Sequence, residues 1–285
     1  MKLRKYDALG NDYLILGPKE SLTIPQPEQI QAWCSRQNGV GADGLLYGPI
    51  FQGDELGLRI FNPDGSEAEI SGNGLRIFAR YLWEQGIVTE GKAFTVSTLG
   101  GDVSCRVHDR GQVVSVQMGR VHFWSADIPV LGDSREVLEE DLELEGYKVR
   151  FCAATVGNPH CVVINQPVSW QHACKLGPSL ETHSLFPNRT NVQFLEVIDS
   201  KTIRIEIWER GAGYTKASGS SSCAAAAVAH KLGHCGADIK VLMPGGALQV
   251  HLSSDYKATL TGPVDFVEEL SVLPDGMLAQ ELAKV

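Results

Sequence analysis

Strand-like stretches dominate this chain. They fall at residues 58–61, 93–97, 113–118, 161–164, 192–197, 202–208, 240–243 and 248–252. Several alternate apolar and polar positions, as in Ile203-Arg204-Ile205-Glu206-Ile207-Trp208, and a period of two is that of a half-buried strand. Glycine and proline clusters punctuate them, at Asn62-Pro63-Asp64-Gly65, Leu99-Gly100-Gly101 and Met243-Pro244-Gly245-Gly246. Helical spacing is rarer. Residues 73–85 put Leu75, Phe78, Ala79 and Leu82 on one face, with Gly86 as a stop. Residues 220–232 form an alanine-rich helix stopped by Gly233. A third helix is predicted over 28–36, with Pro27 at or just before its first turn, where proline is tolerated. The pattern predicts an α+β class.

The polar residues beside these elements repeat. Gly10-Asn11 returns as Gly157-Asn158, Ile60-Phe61-Asn62 as Ile207-Trp208-Glu209, Ser71-Gly72 as Ser218-Gly219, and Gly86 as Gly233, each 147 positions later. Anchors in one register point to a duplicated domain with a pseudo-twofold relation. The expected division is an N-terminal lobe, 1–118, to which 264–285 returns, and a C-terminal lobe, 119–263. Such a duplication is expected to bring two Ser-Gly helix starts to face each other across a cleft. That arrangement suits chemistry needing a group on each face of one substrate atom.

Composition narrows the field. A chain of 285 residues with 43% hydrophobic and 21% charged residues can bury a large core. A net charge of −9 argues against nucleic acid or an anionic membrane as a partner. The seven cysteines, an odd count, are scattered without a Cys-x-x-Cys, which argues against a disulfide framework and a zinc ribbon. No metal site is expected. The first residues lack the apolar stretch of a signal peptide, and no run of about 18 apolar residues exists. The expected location is the cytoplasm. The oligomeric state stays open, with a homodimer compatible.

The helix starts are the first candidate chemistry. A helix N-terminus presents unpaired N–H groups and partial positive charge, so two would hold an anion such as a substrate carboxylate. Gly72 and Gly74 let a ligand approach the backbone, and Gly219-Ser220 offers a glycine and hydroxyls. The plain alternative is that Ser71 and Ser218 are only N-caps. Glu209 and Arg210 fall at a strand exit, where an arginine can clamp a carboxylate with two hydrogen bonds, or form a surface ion pair. His160, beside Asn158, is a candidate acid or base, because a free histidine titrates near about 6.5.

Together these motifs resemble the diaminopimelate epimerase family over nearly the whole chain. The stretches that carry the resemblance are Gly10-Asn11-Asp12, Gly39-Val40-Gly41-Ala42-Asp43, Asn62-Pro63-Asp64-Gly65-Ser66, Gly72-Asn73-Gly74-Leu75-Arg76, Gly157-Asn158-Pro159-His160, Asn191, Glu209-Arg210-Gly211-Ala212-Gly213 and Pro244-Gly245-Gly246. The resemblance implies two pseudo-symmetric lobes, each a mostly antiparallel β-sheet wrapped around a central helix. It implies a cofactor-free epimerase acting on a free amino acid. In that family two cysteines move the α-proton, one on each face, and they stand at the positions of Ser71 and Ser218. The family pairs them with the residues matching His160 and Glu209, both present here. The implied substrate-binding positions are Asn11, Asn62, Gly72, Asn73, Asn158, Asn191, Glu209, Arg210, Gly219 and Ser220.

The serines depart from the family. A thiol titrates near about 8.5, lower at a helix N-terminus, whereas a hydroxyl rarely ionises and needs an activating base. Cys223 does not substitute, lying more than one turn beyond Ser218. Tyr214 stands where the family usually has an acid, and Gly44 where many members have glutamine. Four readings follow: a double Cys→Ser trap of an epimerase, a branch using Ser71–His160 and Ser218–Glu209, a one-base isomerase or dehydratase of the same fold, or an amino-acid binder. Retention of Glu209 and His160 favours an enzyme. The expected activity is interconversion of LL- and meso-diaminopimelate. Arg210, Asn62, Asn158 and Asn191 are expected to hold the distal end, and the two helix starts the reacting carboxylate.

Overall fold

A computed structural model describes residues 1–53, 55–144 and 146–272. The chain divides into two compact units. Unit 1 is Met1–Val116 with the segment from Gly262 onward, and unit 2 is Gln117–Thr261. Unit 1 opens with β1 (Lys2–Asp7), β2 (Asp12–Leu16) and α1 (Pro27–Cys34), then β3 (Leu45–Gln52), β4 (Glu55–Phe61) and the short β5 (Glu67–Ala68). Helix α2 (Gly72–Glu84) leads to β6 (Ala93–Thr98), β7 (Gly101–His108) and β8 (Val113–Arg120), within which the chain passes to unit 2. There it forms β9 (Glu140–Leu144), β10 (Tyr147–Thr155), β11 (Pro159–Val163), α3 (Trp170–Glu181), β12 (Asn191–Asp199), β13 (Thr202–Glu209) and β14 (Gly213–Thr215). Helix α4 (Gly219–Lys231), β15 (Asp238–Met243), β16 (Gly246–Leu252) and β17 (Lys257–Pro263) follow, and β18 (Asp265–Ser271) lies back in unit 1.

The two units repeat one internal register. In unit 1, β2 runs parallel to β3 with Leu14 opposite Leu45, and β3 antiparallel to β4 with Leu45 opposite Phe61. In unit 2, β11 runs parallel to β12 with Cys161 opposite Val192, and β12 antiparallel to β13 with Val192 opposite Trp208. Each pair in unit 2 is the unit 1 pair moved 147 positions on. In unit 1, β1 pairs antiparallel with both β2 and β18. Residues 273–285, part of the segment expected to return to the N-terminal lobe, lie outside the described residues.

In each unit the strands pack on one helix. Helix α2 buries nearly every residue from Asn73 to Leu82: Leu75, Phe78, Ala79 and Leu82 form its apolar face, and the buried Asn73 and Arg76 pair with each other on the other side. Helix α4 buries Ser221 through Ala229, where a run of alanines lets strands β10 to β13 approach closely. Both helices close alike. Gly86 and Gly233 take left-handed φ of 70° and 75°. Ile87 N–H donates to Leu82 O at 2.9 Å and His234 N–H to Ala229 O at 3.0 Å, the six-to-one bond of a Schellman motif.

Sequence reasoning passes over α3. Its interior Gly177 and Pro178 read as a break, yet Ser169 caps it by accepting from His172 N–H. Gly177 is required there, since a Cβ would lie 2.5 Å from the Trp208 ring. Strands β1, β2, β3, β5, β7, β9, β10, β14, β17 and β18 also lie outside the predicted stretches. Strand β10 is buried on both faces from Phe151 to Thr155, so no alternation marks it.

Candidate active site

Unit 1 gathers its motif polar residues at the start of α2 through a chain of hydrogen bonds. The Arg76 guanidinium is fully buried, with Nη1 donating to Pro263 O at 3.0 Å and Nη2 to Asn73 Oδ1 at 2.6 Å. A guanidinium only donates, so the atom facing it must be the amide oxygen. Asn73 then donates through Nδ2 to Asn11 Oδ1 at 2.9 Å, and Asn11 Nδ2 to Asp43 Oδ2 at 3.0 Å. One buried charge thus orients two amides. Asp43 and Asp12 each meet Arg36 at 2.7 Å, which anchors the far end. Asn62 is exposed on a turn, its Nδ2 donating to Ser66 Oγ at 3.0 Å.

Unit 2 reproduces the central contact. Asn158 Nδ2 donates to Ser220 Oγ at 3.3 Å, and these residues are 62 apart, as are Asn11 and Asn73. Asn158 Oδ1 meets His160 Nε2 at 2.9 Å. The Asn191 amide links two backbone groups: Nδ2 donates to Pro159 O at 2.9 Å, and Oδ1 accepts Arg210 N–H at 3.0 Å. Arg210 itself is exposed, with Nη1 on Asn188 O at 3.0 Å. Tyr214, at the position where an acid is usual, donates to Glu206 at 2.7 Å and packs on the core with Trp208.

The two helix-start serines differ. Both occupy the N-cap position with extended backbone. Ser71 acts as a cap, its Oγ accepting Gly74 N–H at 3.0 Å, and it also lies 3.2 Å from the Tyr13 hydroxyl. Gly72 and Asn73 follow in the first turn. Ser218 makes no side-chain cap and is 5% exposed; its hydroxyl instead donates to Glu209 Oε2 at 3.3 Å. Gly219 and Ser220 form the first turn of α4. The capping alternative therefore describes Ser71 and not Ser218.

Electrostatics sharpen the roles. Burial raises the Glu209 carboxyl above the ordinary carboxylate range, against the Thr215 and Ser218 hydroxyls, which lower it. Burial drives His160 down from 6.5 to about 3. It is therefore a neutral imidazole at physiological pH, where the sequence suggests a group titrating near neutrality. The Cys34, Cys105, Cys152 and Cys161 thiols are all pushed up by burial, and Cys223 is fully buried inside α4. None of these offers a ready thiolate.

The His160 shift fixes a pH dependence. Between 6.5 and about 3 the unfolded chain binds a proton that the folded imidazole does not, so stability falls as pH falls across that window. From pH 7 to pH 5 the loss through His160 is about 2 kcal/mol. Urea unfolding at the two pH values checks it: His160→Gln is expected to lose that part of the acid slope.

Glu181, at the end of α3, is a residue the sequence did not single out. It is 4% exposed and accepts from Trp208 Nε1 and Gly211 N–H, both at 2.7 Å, and from Arg189. Trp208 and Gly211 flank Glu209 and Arg210, so this carboxylate holds the turn that carries them. No spacing signal marks it, because its partners lie 27 and 30 residues away.

Comparison with known proteins identifies the family. The pattern of one family, diaminopimelate epimerase, matches residues 3–124 and 152–267. The chain is 52% identical over 283 residues to diaminopimelate epimerase 2 of Nostoc sp., covering 99% of this chain and 97% of that one. It is 39% identical to a diaminopimelate epimerase of Moorella thermoacetica, over 92% and 96% of the two chains. Among solved structures, a hydroxyproline epimerase from Agrobacterium vitis superposes with TM-score 0.68 at 15% identity, covering 99% of this chain and 96% of that one. A phenazine biosynthesis protein from Bacillus anthracis gives 0.65 at 15% identity, covering 96% and 99%. These last two share the fold.

Proposed function

The chain belongs to the diaminopimelate epimerase family, and from that premise we propose that it interconverts LL- and meso-diaminopimelate by moving the α-proton, without a cofactor. The observation that carries this reading is the hydrogen bond from Ser218 to the Glu209 carboxylate. A hydroxyl becomes a proton acceptor only as it loses its own proton, and Glu209 stands ready to take that proton. Burial makes the carboxylate a stronger base than an exposed one. In the reverse direction Glu209 returns the proton to Ser218 as Ser218 delivers one to carbon.

Ser71 stands at the matching position of the other copy. Ser71, Ser218, His160 and Glu209 make the proposed catalytic set. Gly72, Asn73, Gly219 and Ser220 offer helix-start N–H groups to the reacting carboxylate. Asn11, Asn62, Asn158, Asn191 and Arg210 are the proposed binding positions for the rest of the amino acid. One observation favours a second reading, a one-base isomerase or dehydratase: the Ser71 oxygen already accepts the Gly74 N–H, whereas Ser218 is free to work with Glu209.

Proton NMR of LL-diaminopimelate in deuterated water tests the proposal. Loss of the α-proton signal with appearance of the meso isomer is expected. Exchange with retained configuration would favour the one-base reading, and saturable binding without exchange would leave only a binder.

A further inference from the structure

Ser71 has a hydroxyl beside it within its own unit, and the duplication shows what that neighbour replaces. Tyr13 moved 147 positions on is His160, and Gly44 moved the same distance is Asn191. The strand registers agree, since His160 lies opposite Asn191 and the β2–β3 pairing continues the same alignment from Leu14 opposite Leu45. Unit 2 therefore sets an imidazole beside an amide, and unit 1 sets a phenol beside a glycine. The exchange is steric as well as chemical. A Cβ on residue 44 would lie 2.6 Å from the Tyr13 ring and 2.5 Å from Phe61 O, so the ring occupies the space a side chain at 44 would need. Tyr13 is 8% exposed, and its hydroxyl lies 3.2 Å from Ser71 Oγ.

We infer that Tyr13 is the proton relay for Ser71. As Ser71 gives its hydroxyl proton to the substrate carbanion, a new C–H bond forms and the serine O–H bond breaks. Ser71 recovers a proton from the phenol, leaving a phenolate beside the positive start of α2. In the opposite direction the phenolate takes the serine proton as Ser71 takes the α-proton. A phenol titrates near about 10, within reach of chemistry that an isolated aliphatic hydroxyl does not perform. Tyr13 acts through Ser71 and is a positioning and relay residue. The inference rests on the epimerase reading above.

The test is α-proton exchange of LL-diaminopimelate, with kcat and KM, in the full-length chain and in Tyr13→Phe, Ser71→Cys and Ser71→Cys/Tyr13→Phe. Phenylalanine keeps the ring that fills the space at Gly44. Tyr13→Phe is expected to cut kcat by about 100-fold in the serine background with KM changed less than about 3-fold. In the cysteine background the loss is expected to be under about 3-fold, since a thiol titrates without help. Equal losses in both backgrounds, a loss confined to KM, or no loss at all overturns the relay while the epimerase reading stands. Exchange only in the cysteine variants overturns the relay, and exchange in none of the four overturns the epimerase reading with it.

Discussion

Ser71→Cys/Ser218→Cys is expected to turn over LL-diaminopimelate at least about 100-fold faster than the serine chain. Sulfur and oxygen differ little in size here but greatly in acidity. A thiol titrates near about 8.5, and a helix N-terminus lowers it further. At position 218 the thiol would inherit the Glu209 contact directly, because Ser218 caps nothing and its hydroxyl already points at that carboxylate. At position 71 the substitution removes a working cap on α2, so a stability loss of about 1 kcal/mol should accompany the gain in rate. Following meso product by NMR, with a thermal melt beside it, checks both. A double variant no faster than the serine chain would show that these two positions do not carry the proton.

Glu209→Gln is expected to lose between about 10² and 10⁴ in kcat, the range of a general base. The amide preserves the shape and can still accept from Ser218, so a loss of that size reports the missing basicity. Stability should move the other way. Burial raises the Glu209 carboxyl, which means the folded state disfavours its charge and stability falls as pH climbs through that raised value. At neutral pH the glutamine variant should therefore melt higher while turning over slower, as expected where a site holds a group that folding alone would reject. A variant that keeps its rate would remove Glu209 from the mechanism.

Much of this was legible in the sequence because duplication leaves evidence twice. The offset of 147 located Asn158 from Asn11, Glu209 from Asn62 and Ser218 from Ser71, and the structure carries the same offset in strand registers and helix closures. Other features escaped. Helix α3 hid behind Gly177-Pro178, which local propensity treats as a stop although packing against Trp208 demands the glycine. Glu181 hid because its partners are tertiary. Tyr13 hid because an aromatic in a strand reads as core, which its burial also is. Its signal was present: the missing side chain at Gly44 is the space that its ring fills, and carrying the repeat two residues beyond Asn11 would have set it against His160. The pKa of His160 was illegible, since only burial sets it.

The interruption of unit 1 by unit 2 bears on how the chain matures during synthesis. All of unit 2, from Gln117 to Thr261, emerges from the ribosome before β18 does. Until then β1 has β2 along one edge and an open row of backbone donors and acceptors along the other, where β18 will bind. Unit 2 thus has its whole sequence in hand while unit 1 waits for its closing strand. A nascent chain stalled just before Asp265 would be the vulnerable species, with a finished second half and a first half still able to pair with a stranger.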